Sequence, residues 1–253
     1  MRIDSHQHFW KASRGDYSWM GPSVPILSRD YLPDDLRPIL GKAGIEKTVL
    51  VQAAQTTAET DFLLDIARSC DFVAGVVGWL NMEAPDFPAS FERYRANPKF
   101  IGLRPMLEEI SDNAWIVRPA VIESLGLVAK TGFPFDFLIW PQHLPHVLKA
   151  LDLVPGLHAV IDHIAKPDIK GRQMEPWKTL MAKVASHKNV WCKLSGMVNM
   201  ADPQNWTDED LRPYVEHVVD QFGWDRVMFG SDWPVFAGWS PNTSRSSVPF
   251  RRS

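Results

Sequence analysis

Eight short runs of apolar and β-branched residues recur along the chain, and their regular spacing is the feature that most constrains the fold. Most runs are apolar nearly throughout, which is typical of parallel strands covered on both faces. The runs are RIDSHQHF (2–9), KTVLVQAA (47–54), VAGVVGWL (73–80), FIGLRPM (100–106), FPFDFLIW (133–140), LHAVIDHI (157–164), VWCKLSGM (190–197) and RVMFGSDW (226–233).

Segments with the periodicity of amphipathic helices separate these runs. They cover residues 33–44, 57–69, 87–97, 113–132, 141–154, 175–187 and 208–223. Eight strand runs separated by seven helical segments predict an α/β protein with a parallel (β/α)8 TIM-like barrel. An open doubly wound sheet is the alternative. No G-x-G-x-x-G turn follows any of the runs, so a dinucleotide site has no support.

The pattern stops after the eighth run. Residues 236–253 are rich in Ser, Pro and Arg and show no apolar periodicity. We therefore predict a barrel over residues 1–235 and an irregular, truncated or altered tail over 236–253, with the eighth helix missing or altered. A missing helix would expose apolar barrel surface, so we also expect self-association into a homo-oligomer.

Composition narrows the class of partner. The net charge of the 253 residues is -3, without a dense Lys/Arg run, which argues against nucleic acid or an anionic membrane as a partner. No apolar run is long enough for a signal peptide core or a membrane span. Cys70 and Cys192 are isolated in the sequence and form no C-x-x-C motif, which indicates free thiols in a reducing compartment. We expect a cytoplasmic protein that acts on a small molecule.

Polar residues gather at the carboxyl ends of the predicted strands, where barrels of this kind build their active sites. In strand order they are His6 and His8, Gln52, Trp79, Arg104, Asp136 and Trp140, His163, Lys193 and Ser195, and Asp232 and Trp233. Charged groups on otherwise apolar strands need partners or a function, because a lone buried charge is costly.

Three histidines and one carboxylate form the strongest candidate group. His6, His8, His163 and Asp232 come from strands one, six and eight, which lie near one another in a closed ring. Neutral imidazoles with a carboxylate would bind one divalent cation, most naturally zinc, and leave a site for water. The same residues also work without metal, with Asp232 taking a proton from water while the imidazoles polarise a carbonyl.

Several motifs that contain these residues resemble the amidohydrolase superfamily, and more narrowly its amidohydrolase-2 branch of sugar-acid and dicarboxylate lactonases. The motifs are D-x-H-x-H (Asp4, His6, His8), I-G-L-R-P (101–105), D-H-x-x-K-P (162–167), K-L-S-G (193–196) and G-S-D-W-P (230–234). The resemblance covers residues 1 to about 235 and rests on all five motifs in this order.

The resemblance implies a distorted (β/α)8 barrel that hydrolyses a cyclic ester. It also implies that Asp232 is the general base for the attacking water, with the three histidines beside it. Binuclear members of the superfamily carry a lysine at the end of strand four and a histidine at the end of strand five. Arg104 ends strand four here, and strand five supplies Asp136 and Trp140. We therefore expect a single divalent cation or none.

The predicted substrate-binding residues lie at the mouth of the barrel: Arg104, Gln52, Trp79, Asp136, Trp140 and Trp233. Arg104 is expected to orient a sugar-acid lactone through its carbonyl or hydroxyl groups, and Gln52 to bind a hydroxyl. The tryptophans are expected to stack on the sugar ring. For each tryptophan and for Gln52, the alternative to substrate binding is a packing role. For Arg104, the alternative is an ion pair inside the barrel mouth.

Three other functions stay open from the sequence. A pyrone or other dicarboxylate lactonase would need several cations around the mouth, whereas the strand ends offer mainly Arg104 and Lys193. A decarboxylase is a further possibility within the superfamily. A barrel with an altered tail could also have lost catalysis. A polyhydroxylated lactone fits the residues better than a dicarboxylate does.

Overall fold

The computed structural model describes residues 1–22 and 24–238 of the chain. Each of the eight predicted runs contains one strand, and the strands pair in parallel in chain order. They are β1 (Ile3–Gln7), β2 (Lys47–Val51), β3 (Val73–Gly78), β4 (Phe100–Leu103), β5 (Phe135–Phe137), β6 (Ala159–Ile161), β7 (Val190–Leu194) and β8 (Val227–Phe229).

The ring closes between the ends of β8 and β1. Gln7 forms a parallel bridge with Trp233, and the His8 amide donates to the Trp233 carbonyl at 2.8 Å. The Asp232 amide donates to the His6 carbonyl, also at 2.8 Å. The prediction of a (β/α)8 barrel is therefore confirmed, and the open sheet is wrong. The same backbone bonds place the last acidic residue of the barrel beside its first histidine.

Each of the seven predicted helical segments contains a helix, and one short helix was not predicted. Within the described residues the helices are α1 (Pro33–Ala43), α2 (Thr57–Ser69), α3 (Phe87–Arg95), α4 (Pro119–Lys130), α5 (Leu144–Leu153), α6 (Trp177–Ser186), α7 (Met197–Met200) and α8 (Asp208–Phe222). The unpredicted helix is the four-residue α7, which directly follows the end of β7. It lies within the rim of the candidate site.

Apolar side chains fill the layer between the helices and the sheet. Leu63 of α2, Phe91 of α3, Leu125 of α4 and Val147 of α5 are fully buried there. Burying each such side chain contributes about 1.5–3 kcal/mol, so this layer holds the helices on the barrel. None of the described helices is both long and apolar enough to span a bilayer.

The predicted tail can be followed only at its beginning. After β8 the chain forms a short 3-10 turn over Val235–Gly238. The prediction that the eighth helix is missing or altered, and most of the predicted irregular tail over 236–253, fall on residues 239–253, which lie outside the described residues. The division of the chain at residue 235 therefore stays a prediction.

Candidate active site

Two imidazoles at the end of β1 face each other inside the mouth of the barrel. The Nε2 atoms of His6 and His8 lie 3.1 Å apart, and both side chains are buried. His8 Nδ1 lies 2.8 Å from the Val51 carbonyl oxygen, which can only accept a hydrogen bond. His8 Nδ1 therefore donates to this carbonyl, which fixes the orientation of the ring with Nε2 toward His6.

Asp232 brings a carboxylate to the same point. Its Oδ1 lies 3.4 Å from His8 Nε2 and 3.8 Å from the Nε2 atoms of His6 and His163. The backbone of Asp232 has a left-handed φ of 58°. This conformation is uncommon for a residue other than glycine and turns the chain at the end of β8. The four residues predicted to form the reactive group thus surround one position.

His163 reaches this position from an unusual turn after β6. Residues 163–166 all have φ between 48° and 59°. Such a backbone is costly for residues with a Cβ atom and persists only where the surroundings hold it. The Trp177 indole donates to the Ile164 carbonyl at 2.7 Å, and the Ser195 hydroxyl lies 2.9 Å from His163 Nδ1. These contacts fix the imidazole with its Nε2 toward Asp232.

Burial sets the charge of the group. It lowers the pKa of His6 far below its ordinary value, and it lowers the pKa of His163 to about 4. Burial alone would raise the pKa of Asp232, but the imidazole of His163 and the hydrogen bond with His8 outweigh it and hold that pKa below its usual value. The group therefore combines neutral imidazoles at His6 and His163 with an ionised carboxylate at neutral pH.

A buried layer of paired charges lies directly beneath the histidines. Arg104 Nη1 donates to Asp162 Oδ2 at 3.0 Å, and Lys193 Nζ lies 2.9 Å from Asp162 Oδ1. Lys193 also donates to Asp136. Two cations and two anions balance, which allows all four to stay buried. His6 Nδ1 lies 3.5 Å from Asp162 and 3.3 Å from Lys193, so this layer supports the first histidine.

These contacts bear on the predicted roles of Arg104 and Gln52. Arg104 Nη2 donates to Gln52 Oε1 at 2.8 Å and also to the Gln52 carbonyl. Both terminal nitrogens of the guanidinium therefore have protein partners. The arrangement favours the ion-pair alternative over direct orientation of a substrate. Sequence reasoning assigned no role to Asp162, although its place next to His163 in the D-H-x-x-K-P motif was a usable signal.

A cavity of about 380 Å³ opens above the imidazoles. His8, His163 and Asp232 form part of its lining, as do Arg104 and Trp140. This volume suits a small molecule of one sugar ring. The other predicted substrate-binding residues are absent from the lining formed by the described residues: Gln52, Trp79, Asp136 and Trp233.

Trp140, one of the three predicted tryptophans, lines the cavity, whereas Trp79 and Trp233 are absent from the described part of the lining. Trp233 packs edge-on against Phe9 and Tyr31, with ring centroids 5.9 and 5.4 Å away. Trp10 and Trp19 line the cavity together with Trp140. Trp10 lies three residues after the end of β1, and Trp19 lies in the long loop that leads to α1. The Trp19 indole donates to the Ala53 carbonyl at 2.8 Å. The sequence offered no periodicity that would assign this loop to the site.

Gly230 allows β8 to approach β1 closely enough to build the group. A Cβ atom at this position would lie 2.7 Å from the His6 Cβ and 3.1 Å from the Ser195 Cβ. We expect Gly230→Ala to lower the free energy of unfolding by about 1–3 kcal/mol, as overpacking does. Gly126→Ala is the control, because a Cβ atom there meets nothing within 4 Å. Thermal unfolding compares them, and equal midpoints would contradict the close approach.

Comparison with known proteins agrees with this geometry. The family model described as Amidohydrolase matches residues 3–244. The L-fucono-1,5-lactonase of Burkholderia ambifaria is 41% identical over 237 residues, which cover 92% of this chain and 80% of that protein. The 2-pyrone-4,6-dicarboxylate hydrolase of Comamonas testosteroni is 25% identical over 240 residues, which cover 92% of this chain and 76% of that protein.

Comparison with solved structures indicates the same family. The crystal structure of an amidohydrolase from Burkholderia multivorans with bound zinc superposes with a TM-score of 0.89 and 33% sequence identity. The match covers 95% of this chain and 87% of that chain. The motifs, the closed barrel and these matches lead to one conclusion: this chain belongs to the amidohydrolase family.

Proposed function

We propose that the chain hydrolyses a neutral sugar-acid lactone. The observation that carries the proposal is the convergence of Asp232 Oδ1 with three imidazole Nε2 atoms, where Asp232, His8 and His163 line a cavity of about 380 Å³. Relatives described as L-fucono-1,5-lactonase, at 41% and 34% identity, support this substrate class over that of the more distant pyrone hydrolase at 25%.

The same atoms suit one divalent cation. Four ligands at 2.0–2.1 Å from one tetrahedral ion would lie about 3.4 Å apart. The distances between His6 Nε2, His8 Nε2 and Asp232 Oδ1 are 3.1, 3.4 and 3.8 Å. The zinc in the Burkholderia multivorans amidohydrolase supports zinc as the proposed ion. His6, His8 and Asp232 would hold it and leave the fourth position for water, with His163 beside that position. A bound divalent cation supplies Lewis acidity, which acidifies water and polarises a carbonyl.

Asp232 acts as the general base in the proposed mechanism. Its carboxylate takes a proton from water, and the resulting hydroxide attacks the carbonyl carbon of the lactone. The ring C–O bond then breaks, and Asp232 returns the proton to the departing alkoxide oxygen. The product is an open-chain hydroxy acid, so one water is consumed for each ring opened. Trp140 and Trp19 provide flat apolar walls for the C–H faces of the ring.

The pairing of charges at the mouth favours a neutral substrate. Arg104 is bonded to Asp162, and Lys166 is paired with Glu108 at the rim, where it also lies over the Trp140 ring. A substrate with two carboxylates needs cations that can form bidentate bonds with it. In the described part of the lining, the cations Arg104 and Lys166 already have acidic partners, which argues against a dicarboxylate substrate.

A panel of lactones tests the proposal. We expect acid release from aldono-1,4- or aldono-1,5-lactones, followed with a pH indicator, and little release from a pyrone dicarboxylate. A chelator is expected to remove the activity, and added zinc to restore it. A folded protein that opens none of these lactones would contradict the proposal and favour a barrel that has lost catalysis. Activity that survives exhaustive chelation would show that the reaction needs no metal. The homo-oligomer and the cytoplasmic location stay predictions.

A further inference from the structure

We infer that Asn199 couples the general base to the substrate, holding Asp232 with one end of its amide and a hydroxyl of the lactone with the other. The inference rests on the proposed function and adds to it a residue that no strand-end motif contains. Asn199 lies on the short helix α7 and contributes to the lining of the cavity. Its Nδ2 donates to Asp232 Oδ2 at 3.0 Å.

The orientation of the amide follows from the charge of its neighbour. With the opposite orientation, the amide oxygen would face an ionised carboxylate oxygen, and neither atom can donate. The Nδ2 atom therefore points to Asp232 Oδ2, which leaves Oδ1 of the carboxylate facing the three imidazoles. The contact fixes the rotation of the carboxylate and so decides which of its oxygens serves as base.

The other end of the amide lacks a partner within the described residues. Asn199 Oδ1 is buried, and none of residues 1–22 and 24–238 donates a hydrogen bond to it. A buried acceptor without a donor is costly, so such atoms commonly bind a ligand or water. The hydroxyl groups of a sugar-acid lactone are donors that fit this acceptor. The position of Asn199 beside the base would place such a hydroxyl next to the reacting carbonyl.

The backbone explains why α7 comes so close. Gly196, which precedes the helix, has a φ of 63°, and a Cβ atom there would lie 2.6 Å from His163 Nδ1. Glycine accepts both the left-handed conformation and the close contact. The chain turns at this point against His163, and the next turn of helix delivers Asn199 to Asp232. The geometry of α7 thus connects His163 with Asp232.

Two variants separate the two ends of the amide. Asn199→Leu has a similar size but neither donor nor acceptor, whereas Asn199→Asp keeps an acceptor and loses the donor. Each is assayed on the aldono-1,5-lactone that the wild-type chain hydrolyses fastest and on δ-valerolactone, which has the same ring without hydroxyl groups. Asn205→Leu, at an exposed position in the following loop, is the matched control. Thermal unfolding verifies that each variant is folded.

We expect Asn199→Leu to lower kcat/KM on δ-valerolactone about 10- to 100-fold, because the base is no longer held. The loss on the sugar lactone is expected to be larger by about 5- to 10-fold, the value of one hydrogen bond. Asn199→Asp should lose activity on both lactones but keep the wild-type ratio between them. Equal losses of Asn199→Leu on both lactones would overturn the contact with the hydroxyl.

Zinc affinity provides a second readout, measured by competition with a chromophoric chelator and without any substrate. We expect Asn199→Leu to bind zinc about 10- to 100-fold more weakly than the wild type, and Asn205→Leu to match the wild type. An unchanged affinity together with activity within twofold of the wild type would overturn the inference. A wild-type chain that binds zinc but opens no lactone would refute the proposed function, while the zinc comparison would still test the contact between Asn199 and Asp232.

Discussion

Asp232→Asn is expected to lower kcat for lactone hydrolysis by about 10²- to 10⁴-fold while the protein stays folded. The amide has nearly the same shape as the carboxylate, but it cannot take a proton from water. It also removes the negative charge that faces the three imidazoles at 3.4–3.8 Å. Initial rates on an aldono-lactone, with and without added zinc, measure the loss, and circular dichroism checks the fold.

Asp225→Asn is the matched control, because Asp225 is exposed on the turn just before β8. It makes the same chemical change on the same part of the chain, and its activity should stay within twofold of the wild type. If Asp232→Asn kept more than a tenth of the wild-type rate, the base would have to be another group. The assignment of Asp232 in the mechanism would then be wrong.

The architecture could be predicted from the sequence because its physical cause is local. Parallel strands that are covered on both faces must be apolar along their length, and the flanking helices must be amphipathic. Both patterns can be counted in short windows, and all eight strands were found within a few residues of their observed bounds. The helix α7 was missed because four residues are too few to show a period.

The reactive group was predictable for a different reason. His6 and His8 stand two residues apart in one predicted strand run and so share a face, and the barrel topology brings the ends of strands one, six and eight together. Neither inference needed a side-chain contact. Asn199 could not be found in this way, because its place depends on the left-handed turn at Gly196 and on the orientation of Asp232, which lies 33 residues further along the chain.

The role of Arg104 could not be decided from its position at a strand end. Its position at the end of β4 fits both a substrate ligand and an internal ion pair. The difference is made by Asp162 and Gln52, which lie 58 and 52 residues away in the chain. Only the closed barrel shows that these partners occupy both terminal nitrogens. The same pairing, extended through Lys193 and Asp136, leads to the largest effect on stability that we expect.

Lys193→Met is expected to lower the free energy of unfolding by about 3–5 kcal/mol, the usual cost of removing one partner from a buried ion pair. In a chain of this length the unfolding midpoint falls by about 10 °C. Lys193 is the cation that contacts both Asp136 and Asp162. Asp162 keeps Arg104 as a partner, so the uncompensated charge falls on Asp136. Lys188→Met, at an exposed position just before β7, should change stability by no more than about 0.5 kcal/mol.

The pH dependence of the free energy of unfolding tests whether the unpaired charge of Asp136 causes this loss of stability. Burial already raises the pKa of Asp136 to about 6 although Lys193 opposes the shift, and without that lysine the pKa must rise further. A carboxyl group whose pKa is higher in the folded than in the unfolded chain destabilises the fold increasingly as the pH rises above its unfolded value. The deficit of Lys193→Met should therefore shrink when unfolding is measured at pH 5 instead of pH 7.

The double variant Lys193→Met with Asp136→Asn tests whether charge balance holds the buried layer together. Removing the stranded charge together with the lysine leaves Arg104 and Asp162 as a balanced pair, so most of the lost stability should return and the dependence on pH should weaken. A simple loss of packing around the lysine chain predicts the opposite, since a second substitution would add to the damage. A double variant that is less stable than Lys193→Met at pH 7 would show that charge balance does not hold this layer together.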